Sequence, residues 1–435
     1  MLRRISQPGV LALLAALLEG AFLAIRWLHP LDESVAEVIA VGLAASVIYL
    51  GAAWLALSWR ESTPAALAVV LLATVVFRAT LFPLPPTLSK DLYRYVWEGE
   101  IQLAGQNPYL AAPADPRLAD VRPAEFDRLP GKEVPTAYAP LTELLFRVTA
   151  RLDGPAGFKL ASVVFDLGTL LLVVGLLRVR RQPPVRALLY GWCPLVVLEF
   201  AGSGHNDSLV LFTLLLASLL IIRRRVGVSI VVLAAATMSK WFAGVAAPVF
   251  LRRGRWWGVP LFAATALLLG FPYRAAGGNL LAGVLTYAET WRNNASLYGL
   301  LGAASGEECL ATGVALGVVG GLALHCALAR TEPLRACYLL IAALLLLSPS
   351  VFPWYVTWLV PFLCFFPHPA LLLFTATVLL SYHVLIDYTA LGLWHYTPWL
   401  VWLEYLPVYA LLLWGGFRPG ARRGKRGGAA EPAVG

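Results

Sequence analysis

The residues best suited to chemistry lie in short polar stretches between long apolar ones. The first stretch runs Ser89-Lys90-Asp91-Leu92-Tyr93-Arg94-Tyr95-Val96-Trp97-Glu98-Gly99-Glu100. As a helix it places Asp91, Tyr95 and Glu98 on one face at i, i+4 and i+7, with Arg94 and Glu98 paired at i, i+4. Tyr93, Tyr95 and Trp97 suit a helix lying in the membrane interface, where amphipathic rings favour the headgroup level. Gly105-Gln106-Asn107-Pro108 then ends it. A juxtamembrane helix of this kind holds a carboxylate just above the lipid surface, where it can take a proton from a hydroxyl; otherwise Asp91 is an ordinary acid favoured by a helix N-terminus.

Basic side chains near such a carboxylate are suited to binding phosphate. Arg94 is its neighbour, Arg78 sits near the end of the preceding apolar run, and Lys240 interrupts an apolar hairpin, where an ionisable group is costly and functional by default. The alternatives are snorkelling for Arg78 and a salt bridge to Glu98 for Arg94. Gly202-Ser203-Gly204-His205-Asn206-Asp207 reads as a tight turn. Helix capping explains Asn206 or Asp207 well and His205 poorly, which leaves His205 as a donor to phosphate or sugar. One His and one Asp do not make a metal site, so no cofactor is expected, although Asp207 could help hold a divalent ion. In Ser348-Pro349-Ser350-Val351-Phe352-Pro353-Trp354-Tyr355, two prolines break a helix. Trp354 and Tyr355 there could stack on a sugar or flank a lipid chain, or serve as interface-belt aromatics. Asn294, beside Trp291 and Asn293, could hydrogen-bond a sugar or simply be solvated.

The elements that position these residues are transmembrane helices. The chain is 59% hydrophobic and 14% charged, about half the charge expected of a soluble chain, and its mean hydropathy is +0.72. Apolar runs of bilayer-crossing length are predicted at 10–25, 38–59, 65–82, 158–177, 187–201, 208–222, 226–251, 257–271, 310–328, 334–347, 355–366, 369–386 and 399–414. The fold class is therefore an all-α polytopic membrane protein of about 12 to 14 transmembrane segments. Met1 to Arg4 and the Leu-rich run behind them could pass for a signal peptide, but without a convincing cleavage site they are read as the start of the first helix.

The net charge of +9 comes from short basic clusters between apolar blocks, which argues against nucleic acid as a partner. Arg3-Arg4, Arg178 to Arg181, Arg223 to Arg225, Arg252 to Arg255 and Arg422 to Arg426 fall on one side if the spans alternate. By the positive-inside rule that side is cytoplasmic, and the polar stretches collect on the outer face. The organisation is then 1–82 as N-terminal helices, 83–157 as an outer loop with juxtamembrane helices, 158–417 as a transmembrane bundle with outer-face loops, and 418–435 as a disordered basic tail. Five scattered cysteines read as small buried residues, Glu19 as a packing or helix–helix hydrogen bond, and Gly313, Gly317 and Gly321 as helix packing.

The run KDLYRYVWEGEIQLAGQNPY resembles the first-loop motif of bacterial mannosyltransferases of the GT-C superfamily, which use polyprenyl-phosphate-mannose. AYAPLTELLF at 137–146, EFAGSGHNDSLVLF at 199–212, WRNNASLYGLL at 291–301 and LSPSVFPWYVTWLVPFL at 347–363 extend the resemblance in order over about residues 65–365. Relatives often carry an acidic pair and Trp-Asp-Gly where this chain has Lys90-Asp91 and Trp97-Glu98-Gly99. Asp91 is thus the position matching the family's catalytic carboxylate, and Glu98 a conservative variant. The resemblance implies an inverting transfer with Asp91 as general base, from a polyprenyl-phosphate sugar to a glycan, polysaccharide or glycolipid at the outer face of the bacterial inner membrane. A transporter or flippase of lipid-linked sugars is the alternative. It would place ionisable groups near the midplane, often in repeated halves; here most such groups lie near one face, with Glu19 in the first span an exception, and no repeat is visible.

Overall fold

The computed structural model describes residues 6–152 and 154–416. Arg3-Arg4 and the basic tail, read above as cytoplasmic, lie outside them. Three apolar helices open the chain: α1 (Gln7–Trp27), α2 (Val35–Ser58) and α3 (Pro64–Leu81). Sequence fixes their starts, because Ser6 Oγ accepts from Gly9 N, Thr63 Oγ1 accepts from Ala66 N, and Pro64 suits the first turn. Glu19 does what was expected of it, accepting from Thr80 Oγ1 at 2.5 Å between α1 and α3.

The loop after α3 carries α4 (Asp91–Leu103) and α5 (Pro140–Thr149), and α6 (Gly154–Val179) returns through the bundle. The chain then turns through α7 (Leu188–Gly191) and α8 (Pro194–Val197) into a π-helical turn, Leu198–Gly202. Two further helices follow, α9 (Asp207–Ile222) and α10 (Val226–Ser239). Beyond α11 (Ala247–Leu251) come α12 (Arg255–Gly270), α13 (Ala282–Thr290), α14 (Leu297–Ser305), α15 (Glu308–Leu328) and α16 (Pro333–Leu347). The short α17 (Pro353–Val356) and α18 (Val360–Leu363) lead to α19 (Pro369–Thr377), α20 (Val384–Leu391) and α21 (Pro398–Gly416).

Among the described residues, seven helical stretches are long and apolar enough to cross a membrane, eight if the pair bent by 60° at residue 192 makes one span. Four shorter apolar helices, α9, α10, α16 and α21, complete the set. The expected span at 355–366 is instead two four-residue turns, α17 and α18, because Pro353 and Pro361 each start a new helix. A Cβ added at Gly313, Gly317 or Gly321 would meet nothing within 4 Å, so the close packing expected of them is not made among the described residues. Four cysteines are buried and Cys309 is exposed.

The two ends of α9 and α10 differ in kind. One end joins Arg223 to Arg225, and nearby Arg180 pairs with Glu332 while Arg252 donates to the carbonyls that close α15. The opposite end carries Asp207 and Lys240. The arginine-rich turn and the Asp207–Lys240 pair thus lie at opposite ends of these two helices.

Candidate active site

Asp91 starts α4, where Ser89 Oγ accepts its backbone N–H at 3.3 Å. The helix is held by packing on both flanks. Leu92 and Tyr95 pack with Phe146 and Phe158, while Trp97 and Ile101 pack with Leu118 and Leu129. Tyr95 and Trp97 are therefore buried, not laid against lipid as expected, because α5 and the loop before it cover them. Gly99 allows the close approach to α5: a Cβ there would lie 2.5 Å from the carbonyl oxygen of Phe146.

Arg94 braces the loop beside the site. Its Nε donates to Glu98 Oε1 at 2.5 Å, and its terminal nitrogens donate to Gly131 O at 2.7 Å and Val134 O at 3.0 Å. Glu98 is only 1% exposed and, unlike Asp91 and Tyr95 on the same helix, does not line the cavity beside them. The guanidinium that stabilises Glu98 only partly offsets burial, which leaves its carboxyl raised above the usual range.

Asp91, Tyr95, Asn206, Lys240, Trp354 and Tyr355 line one cavity of about 1180 Å³, with Arg94 at its wall. Trp241, Tyr287, Trp291, Trp358, Tyr382 and Tyr388 make the rest of it strongly aromatic. Burial pushes the Asp91 carboxyl up to about 6; Lys240 and Arg94 pull it down and Asp207 adds to the rise. That places the group where it can accept a proton near neutral pH.

His205 stands behind Asp91, 1% exposed. Its Nδ1 is 3.2 Å from Tyr95 Oη and 3.9 Å from Asp91 Oδ2. Its ring stacks on Trp354 with centroids 4.2 Å apart, and Trp354 stacks in turn on Phe352 at 4.5 Å. Burial holds the imidazole well below its ordinary pKa, with the Lys240 charge adding to this, so the ring is neutral. It is therefore a hydrogen-bond partner, not a charged phosphate clamp.

Asp207 is fully buried and accepts from Lys240 Nζ and Trp358 Nε1 on the same oxygen. The Lys240 ammonium lies 5.1 Å from the centroids of the Tyr355 and Trp358 rings, and its side chain is 23% exposed toward the cavity. Tyr355 is fixed by a 2.8 Å hydrogen bond to Tyr287. Among the described residues, no group of three or more His, Cys, Asp or Glu is arranged to hold a metal ion.

Two candidate residues stand elsewhere. Arg78 is 2% exposed in the bundle core, where Asp166 accepts at 2.8 Å and Gly191 O takes another N–H. Its partner on α6 faces inward, so the side chain turns to it and does not snorkel. Asn294 donates to Glu404 at 3.0 and 3.1 Å, bracing α21, while its neighbour Asn293 reaches the cavity and accepts from Trp394 Nε1 at 2.7 Å.

Sequence reasoning did not single out Glu199, Trp358 or Tyr382. Glu199 carried a usable signal, a lone carboxylate in the apolar run 187–201, where ionisable groups are functional by default. Trp358 and Tyr382 sit in apolar runs with no local mark of their inward orientation.

A protein-family model named the MptA_B family, described as alpha-(1->6)-mannopyranosyltransferase, N-terminal domain, matches residues 9–253. That segment includes α4, the His205 turn and Lys240. No curated protein and no solved structure among those compared matches the chain.

Proposed function

From the premise that the chain belongs to the MptA_B family of membrane mannosyltransferases, we propose that this cavity moves a mannosyl group from a polyprenyl-phosphate donor to a glycan or glycolipid acceptor. The reaction takes place at the outer face of the inner membrane, with Asp91 as general base. The observation that carries this reading is the Asp91 carboxylate at the helix start, opening onto a cavity of about 1180 Å³ that Lys240 and aromatic rings also line.

The acceptor oxygen attacks the anomeric carbon from the side opposite the phosphate. The bond from that carbon to the phosphate oxygen breaks, and its electron pair leaves with the phosphate. The acceptor proton passes to Asp91. Phosphate is already a good leaving group, so a second acid is not needed, in contrast to the carboxylate pairs of glycoside hydrolases. The leaving phosphate gains charge as the bond breaks, and Lys240 supplies the positive charge that this step uses. A lysine ammonium carries three donors, of which Asp207 takes one. Trp354 and Tyr355, at the cavity wall, suit the apolar face of a sugar or the first prenyl units.

The test is transfer by purified protein from radiolabelled polyprenyl-phosphate-mannose into a lipid extract. Labelled product supports the reading. Donor binding without product in every acceptor fraction supports the transporter alternative instead. Sidedness is tested separately: an impermeant maleimide added outside intact cells should label native Cys309, which is exposed while the other cysteines are buried. Labelling only after the membrane is opened contradicts the outer-face site.

A further inference from the structure

Behind the cavity wall lies a buried carboxylate that the transfer just described does not use. Glu199 is fully buried, in the π-helical turn Leu198–Gly202. Such turns are frequent at functional sites, and a carboxylate inside an apolar span is costly unless it serves a purpose. Its Oε1 accepts from Tyr382, a residue that lines the cavity. Its Oε2 lies 3.4 Å from His205 Nε2 without a formed hydrogen bond, and both atoms are buried and unpartnered. The other nitrogen of the same ring has Tyr95 Oη at 3.2 Å and Asp91 Oδ2 farther off, at 3.9 Å. The ring thus lies between two carboxylates, one at the cavity and one behind it, and the Trp354 stack holds it there.

We propose that Glu199 is a proton store for the transfer, reached from Asp91 through His205. This rests on Asp91 being the base. Asp91 receives the acceptor proton and passes it to His205 Nδ1, while His205 Nε2 gives its own proton to Glu199 Oε2. Asp91 ends as a carboxylate, His205 as the other neutral tautomer and Glu199 as a carboxylic acid, so one proton enters and one is stored. While donor and acceptor fill the cavity, Asp91 has no water to which it can release the proton, and the relay takes it inward. When product leaves, the same path runs backward and Asp91 releases the proton to water. The separations of 3.4 and 3.9 Å are those of a resting site, because catalytic hydrogen bonds commonly tighten only when substrates are bound.

A purely structural carboxylate and a relay differ in kinetics. The experiment compares initial rates of wild type, Glu199→Gln, His205→Asn, the double variant and Asp91→Asn in the transfer assay. Glutamine keeps the volume and still accepts from Tyr382 but cannot take a proton. The expected result is a fall in kcat of about 30- to 100-fold for Glu199→Gln with donor KM within about twofold. The double variant should be no slower than His205→Asn by more than about twofold, because groups acting as a unit are not additive. A kcat near wild type, a change confined to KM, or two effects that multiply would overturn the relay. Should Glu199→Gln fail to fold by thermal melting, Tyr382→Phe leaves both carboxylates in place and takes its part in the cycle with His205→Asn, again with non-additivity expected and multiplication contradicting it. Asp91→Asn separates the two ideas: a wild-type rate there removes the base itself, whereas an inactive Asp91→Asn beside a normal Glu199→Gln removes only the relay.

Discussion

The pairs Arg78–Asp166 and Lys240–Asp207 are both a cation and an aspartate enclosed by the bundle, yet they are finished to different degrees. Arg78 spends its guanidinium on Asp166, Thr74 O and Gly191 O, and Tyr190 donates to Asp166 at 2.7 Å. Nothing of that pair faces open space. Asp207 also binds two donors, but its second oxygen has no partner, and Lys240 turns its remaining hydrogens and charge toward the cavity over two aromatic faces. A saturated pair holds helices together, since breaking it strands a buried charge. An unsaturated one beside a cavity is available to an incoming anion, and its aspartate keeps the lysine aimed while the site is empty. The contrast shows that burial alone does not mark a functional charge; the unused donors do.

Four experiments act on this contrast, from large effect to small. Arg78→Met should cost about 3–5 kcal/mol of stability by stranding Asp166, read as a lowered Tm in detergent. Any folded fraction should keep donor KM near wild type, and loss of donor binding without loss of stability would put Arg78 in the site. Lys240→Met should lower Tm as well, because it strands the equally buried Asp207. Its folded fraction should differ from that of Arg78→Met in losing about 10²-fold in kcat through lost phosphate stabilisation. The Asp91 carboxyl, raised to about 6, must be ionised to take a proton. Activity should therefore fall as pH drops through that value, by about tenfold between pH 7 and pH 5 for one such group. A rate independent of pH across that interval would take away the base or its raised position. Trp354→Ala removes the stack that fixes His205; at about 0.5–1.5 kcal/mol for an aromatic pair, kcat should fall about threefold to tenfold with the melting curve little moved.

The same contrast explains how much was legible in the chain. Asp91 and Tyr95 were readable because one short helix places both on the cavity, and His205 because a glycine-rich turn gives no other reason for an imidazole. Which of three cations meets the cavity was not readable. Arg78 and Lys240 look alike along the chain, and only the tertiary fold brings Asp166 of α6 to the first. Glu98 shares a helix face with Asp91, but the spacing does not show that its end of the face is closed over, with Arg94 paired to it as the i, i+4 reading allowed. The all-α membrane fold followed directly from apolar run lengths. The span at 355–366 failed because run length says nothing of where prolines restart a helix. Glu199 was legible from its cost alone, a carboxylate in an apolar run, but its partner His205 lies across a π-turn that no local pattern announces.

The measurement that bears most directly on the account is transfer from radiolabelled polyprenyl-phosphate-mannose by wild type and Asp91→Asn side by side, with donor binding measured on both. Wild type should form product, and the variant should bind donor with similar affinity while its turnover drops by about 10²- to 10⁴-fold, the range for loss of a general base. Turnover near wild type in Asp91→Asn, with the same donor and the same fold, would contradict the assignment of Asp91 and the mechanism built on it.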